Sequence, residues 1–138
     1  MSIKFIKLNK DWNAEPNAPE EKVYVEGSDL VLEFTVNPWA YEGFNEEERA
    51  RLIFKACSKY RIGPTNDEGW YRGQCRFGKL APGWGEFYLV KGSSASIVEA
   101  IDWVELSKKK SENHYLFYLR DSTFECEADD YQFQRTSS

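Results

Sequence analysis

The chain has 138 residues, with 18 basic and 23 acidic side chains and a formal net charge of −5. That length suits one domain, and the acidic balance argues against a general nucleic-acid binder, which needs an excess of Lys and Arg to meet phosphates. Nine Phe, eight Tyr and five Trp equal in number all the Leu, Ile and Val residues together, so the interior has to be built largely from rings.

After a short apolar start, residues 9–21 carry two prolines and no periodicity and read as a loop or arm. From Lys22 the pattern alternates. Val23, Val25, Leu30, Leu32, Phe34 and Val36 share one face if Gly27-Ser28 is a two-residue hairpin turn, and Tyr24, Glu26, Asp29, Val31, Glu33 and Thr35 take the other. Residues 45–62 fit two structures. Asn45 and Glu48 form a capping-box pattern ahead of a helical stripe, which supports an α+β alternative with a helix at 46–60. Nearly strict alternation from Arg51 to Ile62 supports a strand, and it matches a second alternating stretch, Trp70 to Phe77, across a loop at 63–68. The hairpin is favoured, because its two apolar faces coincide only in that register.

Trp84 to Lys91 reads as one strand. A capping box at Ser96 and Glu99 with apolar residues at helical spacing predicts a short helix near 96–106. A last hairpin turning at Asp121-Ser122 sets Tyr115, Phe117 and Leu119 beside Phe124, Cys126 and Ala128, pairing Tyr118 with Glu125 and Leu116 with Glu127. Residues 129–138 are expected to form a frayed polar tail. The total is a single mainly β domain over 1–138, with about eight antiparallel strands as a barrel or sandwich and one short helix.

The longest apolar run, Tyr115 to Leu119, falls far short of the roughly 20 residues that span a bilayer. Lysines interrupt the apolar residues of the first seven positions, and Cys57, Cys75 and Cys126 have irregular spacing. Both features favour a cytoplasmic protein with reduced thiols and no membrane association.

Chemical motifs are sparse. Gly73 to Lys79 matches the start of a phosphate-binding loop, but Leu80 replaces the hydroxyl residue and Pro82 stands where a helix must open. The cysteines and His114 lack zinc spacing, so neither a metal nor any other cofactor is expected, and His114 is read as an exposed or hydrogen-bonded side chain. No catalytic set is assigned. In the 51–77 hairpin, Lys55, Lys59, Arg72 and Arg76 crowd one face. Either carboxylates of neighbouring strands (Glu26, Asp29, Glu33, Glu125, Glu127) neutralise them, or they hold an anionic ligand. Cys57 lies among them and is read as a packed thiol. Trp39, Tyr41, Trp70 and Trp84 are rings in predicted loops or strand ends, free for binding.

The leading expectation is a non-enzymatic ligand-binding or interaction protein, taking a small polar or anionic ligand or a protein partner through Trp39, Tyr41, Lys55, Lys59, Trp70, Arg72, Arg76 and Trp84. One alternative is an inhibitor- or immunity-type module presenting an acidic surface around Glu42, Glu46, Glu47 and Glu48 to a basic protein partner. The other is an enzyme using Cys57 or a loop carboxylate. An enclosed pocket favours the ligand binder, and a filled interior with a contiguous acidic patch favours the interaction module.

Overall fold

A computed structural model describes residues 4–15, 19–39, 43–64, 86–91, 103–109, 111–119 and 122–135. Among them there is no helix. Ten strands form two antiparallel sheets: β1 (Lys4–Lys7), β2 (Lys22–Glu26), β3 (Asp29–Thr35), β4 (Arg49–Lys55), β5 (Lys59–Pro64), β6 (Phe87–Lys91), β7 (Val104–Glu105), β8 (Asn113–Tyr118), β9 (Ser122–Ala128) and β10 (Asp130–Arg135). One sheet has the order β1-β6-β8-β9-β5-β7 and the other β10-β4-β3-β2, and they do not close into a barrel.

The first hairpin forms as its turn residues dictate. Glu26 pairs with Asp29 around Gly27-Ser28, with Gly27 in the left-handed region at φ 63. Leu30, Leu32, Phe34 and Val36 are fully buried on the inner face. Val31 is buried on the outer face too, flanked by Tyr24 and Ile53 across the two ladders.

The segment expected as one strand from Arg51 to Ile62 is two, and the helical alternative at 46–60 is overturned. β4 pairs with β10 in one sheet, while β5 pairs with β9 in the other. Lys55 faces Asp130 and Lys59 faces Glu127, so residues 56–58 oppose only 128–129. This is a β-bulge with one extra residue on the first chain. Ala56 sits at φ 50, Asp129 N–H donates to the Lys55 carbonyl at 2.8 Å, and Ser58 N–H donates to the Glu127 carbonyl at 2.9 Å. The bulge bends both chains together from one sheet into the other. It also exposes Ala56 and buries Cys57, the reverse of strict alternation. The proposed partner strand at 70–77 lies outside the described residues.

Three further expectations change. Residues 130–135, expected to fray, form edge strand β10, because Tyr131 and Phe133 alternate with Gln132 and Gln134 and reach the core. Of the helix predicted near 96–106, residues 96–102 lie outside the described set, and Val104–Glu105 are extended and paired with Tyr60 and Lys59. In the last hairpin Leu119 N–H donates to the Ser122 carbonyl at 2.9 Å, so the turn falls one residue earlier than predicted. The faces survive, but partners slip by two: Phe117 pairs with Phe124, Tyr115 with Cys126 and Leu116 with Glu125.

The two sheets share one core of rings. Phe54 of β4 lies 6.0, 5.3 and 5.4 Å from Phe87, Tyr115 and Phe124 of the facing sheet. Trp12 comes from the segment read as an arm and is 5% exposed. It stacks on Phe133 at 4.4 Å and on Phe34 at 5.6 Å from one sheet, and meets Phe117 and Phe87 of the other at 5.9 and 6.0 Å. Buried Asn9 holds that segment in place. Its Nδ2 donates to the Trp12 carbonyl at 3.1 Å and its Oδ1 accepts from Phe87 N–H at 3.0 Å.

Replacing Trp12 with Ala removes contacts to both sheets and is expected to cost about 3–5 kcal/mol in urea unfolding. Ala56 is exposed and left-handed, so Ala56→Gly relieves backbone strain and leaves stability unchanged or raised by up to ~1 kcal/mol. Ala56→Val, with a β-branched residue in that region, lowers it. Equal losses for Gly and Val in the same unfolding assay would show that the left-handed bend is not what sets stability there.

Candidate functional site

Of the residues expected to bind, Trp39, Lys55 and Lys59 are described. Tyr41, Trp70, Arg72, Arg76 and Trp84 lie outside the described residues. Lys55 and Lys59 stand on either side of the bend, in different sheets, and each meets a carboxylate. Lys55 Nζ is 3.2 Å from Asp29 Oδ2, and Lys59 Nζ is 3.8 Å from Glu127 Oε2 and 4.7 Å from the centre of the Trp103 ring. Arg61 Nη1 lies 2.7 Å from Glu125 Oε2, and Arg49 Nη2 lies 2.9 Å from Glu33 Oε2. Carboxylates of paired strands thus meet these cations within each sheet, and Lys55 and Lys59 do not share the single face expected of a 51–77 hairpin.

Glu125 departs from a half-buried ribbon. The central strands of the six-stranded sheet are buried on both faces, with Tyr88, Leu116, Tyr118 and Glu125 all hidden on the outer one. Such strands read as unbroken apolar runs, as residues 115–119 do. Glu125 has 0% exposure and is held by Arg61 and by His114 Nε2 at 2.8 Å, so the one histidine is hydrogen-bonded and buried. A carboxylate out of water needs such partners. With both oxygens engaged, it holds two strands in register.

An acidic cleft lies at the end of β3. Residues 13–15 and 19–20 are laid against that strand: Glu15 N–H donates to the Thr35 carbonyl and Thr35 N–H to the Pro19 carbonyl, each at 2.8 Å. Arg49 fastens it. Its Nη1 donates to the Glu20 carbonyl and to Thr35 Oγ1, both at 3.0 Å, while its other nitrogens hold Glu33. Glu20 is thereby kept left-handed, at φ 46.

On the other side, Asn45 and Glu48 close a turn with one backbone bond and one half of a capping box, the Asn45 side chain taking no part in either. Glu48 N–H donates to the Asn45 carbonyl and Asn45 N–H to Glu48 Oε1, both at 3.2 Å. No helix follows, because Glu47 at φ 64 turns the chain into β4. Glu48 itself is 4% exposed, so it leaves the acidic surface in which the sequence places it. Arg135 of β10 donates to its two oxygens at 2.5 and 2.8 Å. That bond draws the Glu48 carboxyl below its ordinary 4.5, against the opposing effect of burial.

These anchors leave Glu15, Glu20, Glu46 and Glu47 lining a cleft of about 470 Å³ together with Thr35, Pro38, Trp39 and Arg49. Trp39 N–H donates to Asn37 Oδ1 at 2.9 Å, and its side chain is 72% exposed. Sequence reasoning singled out Trp39, Glu46 and Glu47. It missed Glu15 and Glu20, which come from the segment read as a loop or arm. Comparison with known protein families, curated proteins and solved structures finds no match.

Because the folded pKa of Glu48 is lowered, its ion pair with Arg135 stabilises the fold above 4.5 and loses that effect as the pH falls through the lower folded value. Glu48→Gln is therefore expected to melt below the native protein at neutral pH, with the gap narrowing under pH 4.5 in a pH series of thermal melts. A gap that stays constant into acid would remove the ion pair as its cause.

Proposed function

We propose that this chain is a β-sandwich interaction module that engages a cationic surface of a protein partner through the acidic cleft beside Trp39. The observation that carries this reading is the exposed Trp39 ring set among four glutamates, in a cleft whose guanidinium is already held by Glu33. Carboxylates steer a basic partner and raise its rate of encounter. Once a Lys or Arg side chain arrives, the indole face attracts the cation by about 0.5–2 kcal/mol, more as water is excluded. Tryptophan is also the residue type most often found at energetic centres of interfaces.

Binding rather than catalysis suits these side chains. The only hydroxyl among the described lining residues is Thr35, whose oxygen accepts from Arg49. The described interior is filled by rings, which supports the interaction module over a small-ligand carrier. The free thiols of Cys57 and Cys126 fit a reducing, cytoplasmic setting for it.

Calorimetric titration with an oligo-lysine peptide tests the cleft. The peptide should bind, weaken with added salt, and lose about tenfold or more in affinity on Trp39→Ala or on Glu46→Lys with Glu47→Lys. Affinity unchanged in all of these variants would place any basic-partner site elsewhere.

A further inference from the structure

A second cleft, of about 420 Å³, opens at the bend between the sheets. Its described lining includes Val25 and Ser28 of the first hairpin, Leu106 and Lys109 of the segment after β7, and Ala56 and Cys57 of the bulge. Val25 and Leu106 are 51% and 37% exposed and give it apolar walls. Cys57 is only 3% exposed and belongs to the shared core, yet it borders this cavity. The left-handed turn at Ala56 points it inward, and its thiol donates to the Lys59 carbonyl at 3.4 Å. Cys126 of β9, with 0% exposure, belongs to the same core cluster, and the two thiols act on each other electrostatically. Neither is in a disulfide.

We propose that Cys57 and Cys126 form a reactive dithiol that a small peroxide, entering through this cleft, converts into an intramolecular disulfide. The order of events follows from position. Cys57 borders the cleft, whereas Cys126 has no exposed surface and reaches an oxidant only after Cys57 has reacted. The Cys57 thiolate attacks one oxygen of the peroxide; the O–O bond breaks, Cys57 becomes a sulfenic acid, and the departing hydroxide takes a proton to form water. The Cys126 sulfur then attacks the Cys57 sulfur. The S–O bond breaks, and the second hydroxide leaves with the Cys126 proton as another water. Two thiols lose two hydrogens and two electrons, and hydrogen peroxide is reduced to two waters.

The electrostatics agree with these roles. Interaction with Cys126 draws the Cys57 thiol below its usual range, opposed by burial, while burial pushes Cys126 well above it. These directions favour Cys57 over Cys126 as the thiol that reacts first. The bridge needs no long-range approach. Cys126 already pairs with Tyr60 across the ladder, and Cys57 stands just before that strand in the same core cluster.

The test exposes the folded full-length protein to hydrogen peroxide, alkylates the remaining thiols, and reads intact mass and peptide maps. The native chain and Cys75→Ala should both lose two hydrogens and yield a peptide cross-linked between Cys57 and Cys126, with a raised thermal midpoint. Cys126→Ser should stop at a Cys57 sulfenic acid that dimedone traps. Leu106→Trp keeps both thiols and narrows the cleft, so it should slow oxidation in the folded protein but not in urea. The proposal is overturned if both thiols of the folded native chain survive peroxide and alkylate only after unfolding. It is overturned equally if a cross-link forms only with Cys75, or if Leu106→Trp leaves the folded rate unchanged.

Discussion

The paired bend of residues 49–64 and 122–135 is the constraint on which the rest of the structure depends. These two stretches are hydrogen-bonded to each other in both sheets, as β4 with β10 and β5 with β9. Every other described strand joins one of the four, directly or through a neighbour: β3 lies on β4 and carries β2, β8 lies on β9 and carries β6 and β1, and β7 lies on β5. One extra residue makes the turn between layers possible, and it is accommodated by a left-handed Ala56. Without the bulge the pair would continue straight, and the inner faces of the two sheets would not meet.

Once the sheets face each other, the gap must be filled. Sheets stack about 10 Å apart, and a chain with as many rings as branched aliphatics fills that space with edge-to-face and tilted aromatic pairs. Trp12 meets rings of both sheets. It has no strand of its own, and buried Asn9 ties its segment to β6. Its position explains why β10 is ordered: Phe133 stacks on it.

Charge follows the same division between buried and exposed. Where cations crowd the outer faces, carboxylates of adjacent strands answer them, from Asp29 and Glu33 at one sheet to Glu125 and Glu127 at the other. Acidic side chains gather instead where loops cross the end of β3. All three described non-glycine residues with positive φ border a cleft: Glu20 and Glu47 the acidic one, Ala56 the one beside Cys57. Such conformations persist only when surroundings impose them, here Arg49 on Glu20, the Asn45–Glu48 bonds on Glu47 and the bulge on Ala56.

Much of this was legible in residue order. Alternation and Gly27-Ser28 determined the first hairpin, and alternation determined which residues of 115–119 and 124–128 face inward. The Asn45–Glu48 pattern read as a capping box forms only its Glu48 half and closes a turn with a backbone bond, and pairing of the following residues with β3 and β10 makes them a strand. Tyr131 and Phe133 alternate plainly, yet a short polar strand has no meaning until Trp12 and β4 stand beside it. The burial of Cys57 against Cys126, and the gathering of Glu15 and Glu20 around Trp39, join residues far apart in the chain. Local preference acts over a few residues and determined the strands and their faces. The bend, the second face of the central strands and both clefts depend on contacts between distant segments, and only the tertiary structure could decide them.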